Sequence, residues 1–98
     1  MPKRTDSNQA EIMDALRKAG CLCHDTHELG HGYPDIMVGS KHGPWWKYQS
    51  LYLLEVKARG AKLTGDEPAW HALWDGYPVY IVHDVAEAFA AVGIETED

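Results

Sequence analysis

Two short apolar runs between Gly32 and Arg59 constrain this chain most, because each carries charge where a buried strand should carry none. The first is Gly32-Tyr33-Pro34-Asp35-Ile36-Met37-Val38-Gly39, and the second is Leu51-Tyr52-Leu53-Leu54-Glu55-Val56-Lys57-Ala58-Arg59. Successive side chains on a strand point to opposite faces of a sheet. Glu55 and Lys57 therefore share one face, and Leu54, Val56 and Ala58 share the other. Paired as a hairpin, the two strands would bring Asp35 alongside Glu55. Two carboxylates and an ammonium would then meet on one sheet surface, a set suited to a hard, oxygen-seeking cation such as Mg²⁺.

The rest of the chain supplies elements on either side of this hairpin. Residues Asp6 to Ala19 read as a first helix, with Ile12, Leu16 and Ala19 on an apolar stripe beside Ala15. Asp6 or Ser7 caps its start and Gly20 stops it. Cys21 to Thr26 reads as a short first strand. A turn-rich stretch follows, in which Gly30 and Gly32 either make a turn or let a phosphate backbone approach the main chain. Thr64-Gly65-Asp66-Glu67 has the form of a capping box and predicts a second helix to about Asp75, with Trp70, Leu73 and Trp74 as its core stripe. Val79 to Val82 reads as a short buried strand. Asp84-Val85-Ala86-Glu87 repeats the capping logic for a last helix closed by Gly93.

Composition removes several classes. The 98 residues suit one domain, and a hydrophobic content of 45% argues against global disorder. No apolar run is long enough to cross a bilayer, and Met-Pro-Lys-Arg-Thr-Asp lacks the apolar core of a secretory signal, so a cytoplasmic protein is expected. Cys21 and Cys23 are expected to face opposite sides of a strand and to remain reduced structural thiols. With His24, His27 and His31 they suggest zinc, but the spacing matches no common closed site. The net charge of −6 opposes nucleic-acid binding. Part of that acid lies in the tail Glu95-Thr96-Glu97-Asp98 and part in the carboxylates of the proposed site, whose charge a divalent ion would offset. Lys57, Arg59 and Lys62 cluster near the second run, and Lys3 and Arg4 form a basic tip. Trp45-Trp46-Lys47-Tyr48 would either stack on unpaired bases or line a subunit interface, the latter favoured for so small a domain.

Pro34-Asp35 and Glu55-Val56-Lys57, with Gly32 ahead and Leu63-Thr64 behind, resemble the PD-(D/E)xK nuclease superfamily. Within it they resemble the small VRR-NUC and Holliday-junction-resolvase-like proteins often carried by phages. The resemblance covers nearly the whole chain, whose elements fall in the same order. It implies an α/β fold with a restriction-endonuclease-like αβββαβ core, a central mixed sheet flanked by helices, as a single domain over residues 1–98. It also implies a DNA endonuclease dependent on Mg²⁺ or Mn²⁺, structure-specific (junction or flap) rather than sequence-specific, working in a bacterial or phage-infected cell. Asp35, Glu55 and the Val56 carbonyl would be metal ligands, and Lys57 would orient or help deprotonate the attacking water. Relatives often place an acid on the first helix, which makes Glu11 an optional ligand or else a solvent-facing acid. Gly32, Arg59 and Lys62 would meet the DNA backbone. Relatives often carry Gln where Glu67 stands, near the active site; the acid here puts a substrate-contacting role for that residue in doubt. A homodimer or higher homo-oligomer is expected. The competing expectation is a non-catalytic oligomerisation or interaction module on the same fold.

Overall fold

A computed structural model describes residues 7–95, which form α1 (Ser7–Lys18), β1 (Leu22–Asp25), a short 3₁₀ turn (His27–Leu29), β2 (Ile36–Gly39), β3 (Leu51–Val56), α2 (Glu67–Leu73), β4 (Val79–Val82) and α3 (Val85–Ala91). The proposed Asp6 cap, the Lys3–Arg4 tip and the Glu97–Asp98 end of the acidic tail lie outside the described residues. The strands form one mixed sheet in the order β1-β2-β3-β4. The first two pairings are antiparallel and the last is parallel, so the chain must cross over the sheet between β3 and β4, and α2 lies on that crossover.

The alternation read from the sequence sorts the sheet into two faces. Ile36 and Val38 of β2 and Tyr52, Leu54 and Val56 of β3 join Ile12, Leu16, Val82, Ala88 and Val92 in the core under α1 and α3. Ile12, Leu16, Ile36, Val38, Leu54 and Val92 are fully buried. Complete burial of such a side chain contributes about 1.5–3 kcal/mol, so this side of the sheet holds the domain together. Asp35, Met37, Leu53, Glu55 and Lys57 occupy positions on the opposite face, toward α2.

Four expectations change. α2 buries none of its residues. Leu73 is 79% exposed and Trp74 38%, so these side chains do not form a core stripe. Trp70 and Trp74 instead stack on each other, with ring centroids 5.0 Å apart, and Tyr33 meets Trp70 edge-on at 5.5 Å. β4 is an edge strand with Tyr80 and Ile81 exposed rather than a buried one, because among the described residues no element follows it in the sheet. The Thr64 capping box is half made. Glu67 reaches back to accept from the Thr64 N–H at 2.8 Å, while the helix begins only at Glu67. Finally, Cys21 and Cys23 do not diverge. Residues i and i+2 of a strand share a face, and both cysteines pack on the α1 side as free thiols.

Candidate functional site

β2 and β3 are in the register Ile36↔Leu54, and the Asp35 N–H donates to the Leu54 carbonyl at 3.0 Å. One step further along this ladder, Asp35 stands opposite Glu55. Asp35 Oδ2 accepts the Val56 N–H at 2.8 Å, which fixes its carboxylate against the end of β3. Glu55 is 1% exposed. Burial, and after it the negative charge of Asp35, pushes the Glu55 carboxyl up to about 9, with Glu67 adding to the effect and Lys57 opposing it.

α2 contributes two side chains: Glu67, whose position the resemblance puts near the site, and His71, which no sequence motif singled out. Glu67 Oε1 lies 2.7 Å from Lys57 Nζ, and His71 Nε2 lies 3.3 Å from Glu55 Oε1. The match follows from two periodicities. Positions four apart on a helix share a face about 6 Å apart, and positions two apart on a strand share a face about 6.6 Å apart. Glu67 and His71 thus form a two-rung ladder with Lys57 and Glu55. The Lys57 ammonium is held above its ordinary range: burial works against it, but the Glu67 hydrogen bond and the charges of Glu67, Glu55 and Asp35 outweigh that burial. Glu67 is held low despite its own burial by hydrogen bonds from Lys57 and the Thr64 N–H. Burial lowers His71, so its imidazole is neutral near pH 7.

The other candidate residues lie apart from this cluster. Glu11 is exposed on α1, whose buried side rests on the opposite face of the sheet. Arg59 pairs with Asp84 Oδ2 and, at 3.4 Å, with Glu87 Oε2, so its guanidinium is already engaged at the start of α3. Lys62 is exposed in the loop before α2. Gly32 serves packing: a Cβ there would lie 2.5 Å from the Asp66 carbonyl oxygen. His71 was hidden in the sequence between Trp70 and Leu73, inside a run read as apolar. Its distance of four residues from Glu67 was the available signal.

A buried carboxyl raised in this way makes stability depend on pH. Between its unfolded value of 4.5 and about 9, Glu55 is ionised in the unfolded chain and protonated in the folded one. The folded state then binds more protons, so stability falls as pH rises through that window. Glu55→Gln is expected to be more stable than wild type at pH 8 in chelator by at least about 1 kcal/mol, or about 4–8 °C in Tm, and to match it near pH 4. Melting curves at the two pH values check this.

Among the described residues, no group of three or more His, Cys, Asp or Glu is arranged as a metal cage. None of the described helices is long and apolar enough to cross a membrane. No protein-family model, curated protein or solved structure matches the chain.

Proposed function

We propose that this chain is a divalent-cation-dependent DNA nuclease on a restriction-endonuclease-like core, hydrolysing phosphodiester bonds in junction or flap structures. The observation that carries the proposal is the Glu55 carboxyl, buried beside Asp35 and pushed up to about 9. Such a pair is short of positive charge, and a cation relieves it. The donors fit Mg²⁺ or Mn²⁺. These ions favour oxygen, and Mg²⁺ in particular is held by one or two carboxylates while keeping several waters, without an all-protein cage. Asp35 and Glu55 would hold it, with the Val56 carbonyl as a further oxygen. When bound, the ion supplies a Lewis acid for the phosphoryl oxygens and lowers the pKa of a water.

The chain's own residues do the rest. The Val56 N–H keeps Asp35 in place. Lys57, protonated across neutral pH, donates to the non-bridging oxygens and orients the attacking water. Lys62, exposed beside α2, meets a flanking phosphate. The net charge of −6 opposes a polyanion, so binding depends on the cation that offsets the carboxylates of the site.

The test offers purified protein a four-way junction, a flap, a duplex and a single strand, with Mg²⁺, Mn²⁺ or chelator. Cation-dependent cleavage of at least one substrate is expected, together with a rise in Tm on adding Mn²⁺. Absence of both would leave the second reading, an interaction module. That alternative is favoured by the apolar groove of about 190 Å³ between Tyr33, Leu53, Trp74 and Tyr77, and by the exposed Trp45 and Tyr48. The same surfaces suit a homo-oligomer in either case.

A further inference from the structure

α2 is an unusual element to keep on energetic grounds, since it buries no residue of its own. What it does is bring two polar side chains down onto the strand that carries the candidate site. One, Glu67, ends on Lys57. The other, His71, has a side chain only 13% exposed and ends 3.3 Å from the Glu55 carboxyl, whose own exposure is 2%. The Trp70 ring lies edge-on to the imidazole at 5.5 Å and is itself braced by Trp74 and Tyr33, so the histidine is held from behind by a row of rings.

We propose that His71 is a positioning residue of this site: its Nε2 fixes the Glu55 carboxyl beside Asp35 in the orientation that a divalent cation requires. The proposal rests on the cation reading above and adds a member to it. A carboxylate that accepts a hydrogen bond on one oxygen loses the freedom to swing about its last torsion, so less order has to be imposed when an ion arrives. Hydrogen-bonded partners of this kind change metal affinity by about 10–100-fold when removed. Glu55 needs such a partner from outside the sheet. Asp35 and Glu67 lie within hydrogen-bond reach of Glu55 but are themselves acidic, and Lys57 is paired with Glu67, which leaves His71 as its neutral partner from α2.

The experiment measures Mn²⁺ affinity by calorimetry on wild type, His71→Ala, His71→Asn and His71→Gln, each first shown to be folded by circular dichroism. The amide nitrogen of Gln reaches about as far as Nε2, whereas that of Asn stops near the position of Nδ1. Binding is expected to weaken about 10–100-fold in Ala and Asn and to return close to wild type in Gln. The Asn and Gln variants are nearly equal in size and polarity, so they keep the comparison open even if Ala fails to fold. Equal affinity in wild type, Asn and Ala overturns the proposal. So does a loss shared by Asn and Gln and accompanied by a lower Tm, which marks packing rather than positioning. Wild type that takes up no Mn²⁺ at all overturns the cation reading itself, a result distinct from the other two.

Discussion

Lys57→Ala is expected to cut the cleavage rate by about 10²–10⁴-fold while leaving Mn²⁺ bound as tightly as in wild type, or more tightly. Such a loss corresponds to about 2.7–5.4 kcal/mol of transition-state stabilisation. The two halves of the prediction have different causes. Lys57 is an ammonium held by Glu67 at 2.7 Å and by the negative charges around it. Removing it takes away a donor for the phosphoryl oxygens, and it also takes away a positive charge that competes with a bound cation. Asp35→Ala removes a carboxylate and is expected to abolish Mn²⁺ binding and cleavage together. Single-turnover rates and calorimetry on the same preparations separate these outcomes. Wild-type cleavage by Lys57→Ala would remove the lysine from the chemistry, and cleavage persisting in both variants would place the activity elsewhere or in a contaminant.

Gly32→Ala is expected to cost about 2–4 kcal/mol, against about 1–2 kcal/mol for Gly30→Ala. Both glycines have positive φ, +84° and +71°, a region that costs any other residue conformational energy. They differ in surroundings. A Cβ on Gly30 meets nothing within 4 Å, whereas one on Gly32 lies 2.5 Å from the Asp66 carbonyl oxygen and 2.8 Å from the Trp70 Cβ. That carbonyl accepts the Trp70 N–H in the first turn of α2 at 3.0 Å, so it cannot move alone. The helix start must shift instead, drawing Glu67 away from Lys57 and His71 away from Glu55. Urea denaturation of the two variants isolates the contact from the backbone strain. Equal losses would mean that the close approach of the two segments is not what Gly32 provides.

The half of the site that lies on strands was legible in the sequence, because a period of two assigns each side chain to a face without any tertiary information. Asp35, Glu55 and Lys57 could be placed together once the two runs were paired. Of the half contributed by α2, the resemblance pointed to Glu67 alone, and His71 was not legible. Trp70, Leu73 and Trp74 suggested a helix packed into the core, since large apolar side chains at helical spacing usually mark one. The core is already complete under α1 and α3, which leaves α2 a polar task and a row of half-exposed rings. β4 was misread for a related reason. Val79-Tyr80-Ile81-Val82 has the composition of a central strand, and only the strand order reveals that no described strand lies beyond it.

Both margins of the sheet, β1 and β4, are open among the described residues, and each shows large apolar side chains: Leu22 on one, Tyr80 and Ile81 on the other. Open margins invite edge-to-edge aggregation. The excess acid that counts against holding a polyanion is, from this side, colloidal protection, because copies at −6 repel one another. That protection vanishes near the isoelectric point of about 5.4, where the molecule is least shielded from its own kind.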